Sequence, residues 1–366
     1  MFQWAKYKKM ETTKMFNKGD DQRQELGSGS TALQAKGDIT INNGVSYSDV
    51  REIVLDMFRA NFLQLSGDAM EAARHRAEEI TDKFLAKLIA ENLTGLDQAK
   101  SPDFQYALYT VQRDYARAAD ADLGDLLVDL LVDRTKHPKR NLAQIVLNEC
   151  LSVAPKITSA QLSNLSVIFY LKYCNKSDFP SLKTFVYDLD VYLLPFVNDL
   201  LSKRSDYQHL EFAGCGSSQI TTTDLAEILW NKYQGIFDKG INALELSGAS
   251  FFFNSNQKLV GPCCLDGTKV QVMALNKPHL ETLLAVNKVS KEDAVRLRNA
   301  FGKNRLSSEE IRSKCIAVRP EMEKLFSAWN STELHNFTLT SVGMGLGHAN
   351  LKRLGKDFGD LSNWVG

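Results

Sequence analysis

Four groups of residues in this 366-residue chain have types and spacings that could support chemistry. Cys215 lies in GCGSS, six residues after His209, and a thiol with an imidazole can form a nucleophile and its base. Such a pair works only when the base is in hydrogen-bond reach and a third group orients it. Closeness in sequence supplies neither, and Gly-Cys-Gly-Ser-Ser is ordinary turn composition, so a loop is expected. Cys263 and Cys264 are adjacent in a strand-like run, where one side chain faces in and the other out. Reactivity needs a depressed pKa and exposure, so a structural pair is the expectation. Glu71, His75 and Glu79 fall at i, i+4 and i+8 on one helix face. A carboxylate-bridged metal centre wants further ligands from facing helices, such as Glu-x-x-His, and the sequence offers none. That face is expected to be solvated. SVGMGLGH, residues 341–348, spaces its glycines G-x-G-x-G rather than G-x-G-x-x-G. Too little chain follows for a βαβ unit with its ribose-binding acid. Its glycines are expected to let a helix pack tightly.

Cys150, Cys174 and Cys315 complete the cysteines. No Cys-x-x-Cys pair and no zinc-finger spacing occurs, so reduced buried thiols are expected and no metal or cofactor is called for. Basic side chains cluster at Arg134, Lys136, Lys139 and Arg140, at Arg296, Arg298, Lys303 and Arg305, and at Lys352, Arg353 and Lys356. Phosphate binding needs such clusters to converge on one surface, whereas here acids such as Asp133, Glu292, Asp293 and Asp357 are interleaved. Lys136, Lys139, Arg140, Lys352 and Arg353 are the candidate nucleic-acid contacts.

The elements that must position these groups belong to an ordinary soluble chain. Hydrophobic residues make up 44% and charged residues 24%, which excludes wholesale disorder. Lys plus Arg equals Asp plus Glu at 44 each, so no net field draws the chain to nucleic acid or anionic membrane. No apolar run is long enough to span a membrane, and the basic N-terminus lacks the apolar stretch of a signal peptide. A cytoplasmic protein is expected.

Residues 1–26 read as a mobile tail. In residues 27–45, Leu33, Ile39 and Ile41 alternate with polar residues around a Gly-containing turn, a short two-stranded signal. Two such strands are not stable alone, so they must lie on the protein or stack with copies of themselves. At Ser46 the period becomes helical. Ser46 and Asp49 resemble a capping box, and Ile53, Val54, Met57, Phe58 and Phe62 line one face. Residues 46–100 read as a helical hairpin or stalk and 101–248 as a helical bundle with short connections. Within the bundle, Leu142–Val153, Ser159–Tyr173, Leu182–Leu201 and Asp224–Phe237 are predicted helices, the third kinked at Pro195. Residues 249–366 read as a mixed α+β region with a hairpin at Asp266-Gly267, further helices and a strand at Phe337–Leu339. The fold class predicted is mainly α with minor β.

Three stretches carry a resemblance: GSTALQAKGDITINNGVSYSDVREIVLDMFRANFLQLS, KITSAQLSNLSVIFYLKY and LTSVGMGLGHANLKRLGKDFGDLSNWVG. They resemble a bacterial family of uncharacterised cytoplasmic proteins that begin with a Gly/Asn-rich β-segment and a Ser-Tyr-capped helix. The resemblance brings no active site. Similar β-segments precede sensor or effector domains in bacterial conflict and anti-phage systems, so a defence role is implied by analogy.

The functional expectation is therefore a non-enzymatic, self-assembling sensor or scaffold. Leu33, Ile39 and Ile41 would hold the homo-oligomer, and the helical body would meet a protein partner. Alternatives are a nucleic-acid-binding protein using the basic clusters, and a hydrolase or nucleotide-binding enzyme.

Overall fold

In the computed structural model, residues 46–61, 67–176, 178–246, 259–354 and 358–365 are described. Residues 27–45, with Leu33, Ile39 and Ile41, lie outside them, as do Phe62 and Lys356.

The first helix, α1 (Tyr47–Asn61), starts at the reciprocal cap read from the sequence. Asp49 N–H donates to Ser46 Oγ at 3.2 Å and Ser46 N–H donates to Asp49 Oδ2 at 3.0 Å. Helices α2 (Gly67–Glu91), α3 (Pro102–Ala118) and α4 (Ala121–Thr135) follow, and α1 and α2 pack on α3 and α2 on α4. Val50 and Val54 enter the main core, while Phe58 sits with Ala73, Ala77 and Ala116 in a satellite cluster. Phe58→Ala is expected to cost about 3 kcal/mol, the low end for a buried Phe, because that cluster is small. An unchanged melting temperature would contradict its burial.

Helices α5 (Leu142–Val153) and α6 (Ser159–Tyr173) run between the residues expected. Each has a side-chain cap: Asn141 accepts from Gln144 N–H at 2.8 Å, and Thr158 forms a capping box with Gln161. The next predicted helix is shorter than expected. It ends as α7 (Leu182–Tyr192), and the chain passes into a 3₁₀ turn, Leu194–Asp199, where Pro195 lacks the N–H an α-helix needs.

Helix α8 (Arg204–Phe212), unforeseen, leads into β1 (Gly216–Ser218) and α9 (Leu225–Lys232). Strands β2 (Val260–Pro262) and β3 (Val270–Val272) pair antiparallel, with Val260 opposite Val272. Their loop is longer than the two residues expected of Asp266-Gly267. Asp266 Oδ1 accepts the Thr268 N–H and hydroxyl at 3.1 and 2.6 Å, an Asx-type turn inside a wider loop. Helices α10 (Lys277–Val286), α11 (Lys291–Ala300), α12 (Ser308–Val318) and α13 (Met322–Ser331) follow. Strand β4 (Phe337–Leu339) pairs antiparallel with β1. The chain then forms α14 (Ser341–Lys352) and α15 (Ser362–Val365). The fold is mainly α with minor β, as the periodicity predicts.

Two cores organise the unit Val45–Gly366. The larger runs from Val50 to Val365, with α14 seated against α5 and α6. The smaller gathers Ile241, Leu259, Val272, Leu280, Leu284 and Leu297 around β2, β3, α10 and α11. Among the described residues, no helix is long and apolar enough to cross a membrane.

Candidate functional site

The Gly-rich segment is the interior of α14 and not a loop before a helix. Thr340 caps it, its Oγ1 accepting from Gly343 N–H at 3.2 Å and donating to Gly214 O at 2.6 Å. A Cβ on Gly343 would lie 1.9 Å from Cys215 O, and one on Gly347 2.8 Å from Leu165 O. The glycines serve close packing.

Cys215 is fully buried beneath this junction, and burial pushes its thiol up to about 12. The His209 Nδ1 contacts Gln161, 3.0 Å from Nε2 and 3.2 Å from Oε1, so its polar partner is the residue that closes the α6 capping box with Thr158. Burial likewise raises Cys174 and Cys315 to about 12 and lifts Cys150. Cys263 is buried and Cys264 half-buried, but both lie in the loop after β2 ends at Pro262 and not in the strand expected, so strand alternation does not set their exposure. Burial raises the Cys264 thiol too, so in the folded protein Cys264 alone is expected to react with Ellman's reagent, and slowly, and all six cysteines after unfolding in guanidinium. Fast labelling at Cys215 would revive a thiol chemistry.

Glu71 and His75 are exposed on α2, and Glu79 accepts the Tyr115 hydroxyl at 2.9 Å. Among the described residues no group of His, Cys, Asp and Glu is placed to hold a metal.

The basic candidates meet carboxylates. Asp133 Oδ1 receives Lys136 Nζ at 2.8 Å and Lys352 Nζ at 2.5 Å, and Lys136 also reaches Glu91 Oε2 at 3.3 Å. Lys352 and Lys136 outweigh the desolvation of Asp133 and hold its carboxyl below the usual range. Arg353 faces Asp122, Asp125 and Asp129 at 3.9, 4.0 and 3.8 Å. Lys139 and Arg140 stand exposed in the loop after α4, while Arg134 is buried against Asn148, Gln98 and Asp103. The structure thus brings Lys136 and Lys352 together around a carboxylate.

Sequence reasoning missed a buried polar network. Asp188, fully buried on α7, accepts the Tyr233 hydroxyl at 3.0 Å and an ion pair from Lys176. Tyr170 and Tyr233 share a hydroxyl hydrogen bond of 2.7 Å, and burial raises both phenols well above their usual range. Lys232 is buried too, donating to Tyr170 O at 2.9 Å and to Cys174 O, with its ammonium 4.3 Å from the Tyr170 ring centre. Burial pushes it down to about 8. The signal was available: Asp188 shares the helical face of Phe185, Leu189 and Tyr192, and Lys232 that of Leu225 and Leu229.

Sequence reasoning also missed the cleft of about 700 Å³ between the α3–α4 turn, the start of α6, the 3₁₀ turn at Pro195 and the end of α14. Leu126 and Phe196 are buried at its wall and Leu162 is half-buried. Asp120, Asp122 and Asp199 stand exposed in its lining, and Arg353, also in the lining, lies 3.9 Å from Asp122. Asp120 caps α4, accepting from Leu123 N–H at 3.1 Å. An apolar wall under carboxylates suits a ligand with an apolar body and a cationic end.

The fold defines the class of protein as mainly α with minor β. A protein-family model matches residues 44–365, and the chain belongs to that family, which is uncharacterised. No curated protein and no solved structure matches the chain.

Proposed function

We propose that this protein is a non-enzymatic sensor that takes up a small organic amine in the cleft beside α4, α6 and α14. The cleft carries the reading: its volume of about 700 Å³ is that of a small-molecule site. Its walls come from segments as distant as Ala118 and Leu354, so an occupant links the α3–α4 turn to the end of α14. A ligand shifts a conformational equilibrium only through such differential contacts. The assembly half of the reading rests on the alternating pattern of Leu33, Ile39 and Ile41. The bacterial, cytoplasmic setting and the defence role rest on the resemblance of the Gly/Asn-rich segment.

Two measurements test it. Octylamine and tryptamine should raise the melting temperature of the wild type, octanol should not, and Leu162→Trp, which fills the cleft, should abolish the rise. No shift with either amine, or an equal shift in the variant, sinks the sensor reading. Ile39→Asp with Ile41→Asp puts carboxylates into the proposed dry contact between copies. The mass by light scattering should fall while the helical circular dichroism holds, and an unchanged mass sinks the assembly reading.

A further inference from the structure

A second concave surface is lined by the loops that carry Lys239, Lys269 and Lys303, and its chemistry is opposite. Lys239, Lys269, Lys303 and Arg305 line an open groove of about 710 Å³ in which Glu310 is the one acid. The other acids that pair with these cations, Asp266, Glu245 and Glu227, do not line the groove. Each of the four cations thus has one carboxylate partner, Lys239 with Glu310 at 2.8 Å, and the lining itself presents four cations to one acid.

The cations are held in place by backbone. Asp238 accepts Gly240 N–H at 2.8 Å and Gly302 N–H at 2.9 Å, stapling the loops that carry Lys239 and Lys303. Gly240 and Gly302 adopt φ of 70° and 73°, a left-handed turn that lets each loop double back. Lys239 N–H donates to Asn304 O at 2.9 Å, and Asn304 Nδ2 donates to Gly240 O at 2.7 Å. Arg305 lies over the Trp230 ring, 4.9 Å from its centre. The eleven-residue helix α12 begins at the groove with its positive end.

We infer that this groove binds a compact polyphosphate anion, such as the phosphate chain of a nucleotide. The ammonium groups are half-exposed, and surface ion pairs of this kind are weak and exchangeable. Phosphate oxygens offer charge-assisted hydrogen bonds to several of them at once. A long nucleic-acid strand needs a continued basic track, and neither Arg296 nor Arg298 lines the groove.

Calorimetric titration of the full chain with sodium tripolyphosphate, with ATP and with a single-stranded RNA tests the inference. Tripolyphosphate and ATP should bind the wild type, the affinity falling as salt rises. Lys239→Gln with Lys269→Gln and Lys303→Gln should weaken binding by about tenfold or more. Glu310→Gln should strengthen it, because it frees Lys239 from its ion pair and removes the acid from the lining. Lys203→Gln, exposed and not in the lining of the groove, should change nothing. Should the triple variant melt early, Lys303→Gln alone must still weaken binding. Absent binding of tripolyphosphate, unchanged affinity in the lysine variants, or RNA binding that tripolyphosphate does not displace would each overturn it.

Discussion

Asp188→Ala is expected to lower the unfolding free energy by about 3–5 kcal/mol, measured as a shift in urea midpoint at constant slope. The carboxylate is fully buried and compensates Lys176, with the Lys232 ammonium also close enough to feel its charge. Removing it leaves two cations near α7 without an anion and takes the acceptor from the Tyr233 hydroxyl. A buried charge without a partner is far costlier than a missing pair. Asp188→Ala combined with Lys176→Met should therefore recover part of the loss, since the second change removes one stranded charge. A single variant that loses less than about 1 kcal/mol would show that water reaches the site and solvates the lysines.

Alanine at both Gly343 and Gly347 is expected to cost about 4 kcal/mol, each site contributing within the overpacking range. Both contacts are with backbone carbonyls, Cys215 O and Leu165 O, which cannot rotate away as a side chain would. Helix α14 would have to withdraw from α6, opening the packing of Leu346 and Ala349. Alanine is intrinsically the better helix former by about 1 kcal/mol, so a purely local view forecasts stabilisation. The sign of the change in melting temperature therefore separates close packing from local propensity. A rise would mean that α14 does not sit as close as the structure places it.

How much of this was legible follows from what each residue touches. Helices α5 and α6 were readable to their ends because Asn141 and Thr158 cap them and apolar residues recur at helical spacing. Helix α8 was missed because only Tyr207 and Leu210 of its nine residues are buried. Strand β1, Gly-Ser-Ser, has no alternation at all and is a strand only because Phe337–Leu339 lies beside it. The same non-local logic hid the cleft, whose walls come from four distant segments. Asp188 and Lys232 were overlooked for another reason: charge is usually assigned to water, although both residues fall on the apolar faces of their helices, and the tertiary partners explain why they are buried there. Among the basic candidates, counting charge could not reveal that Lys136 and Lys352 converge on Asp133.

The seat of α14 has a bearing on how the chain is made. Its apolar residues fill the space between α5 and α6, segments that leave the ribosome nearly two hundred residues earlier. Until α14 emerges, Leu165, Phe169 and their neighbours face an unfilled trough. Translation at roughly 5–20 residues per second keeps that trough open for about ten seconds or more. During that interval the apolar faces that α14 later covers stand open to water, which makes the order of synthesis a constraint on how this core assembles.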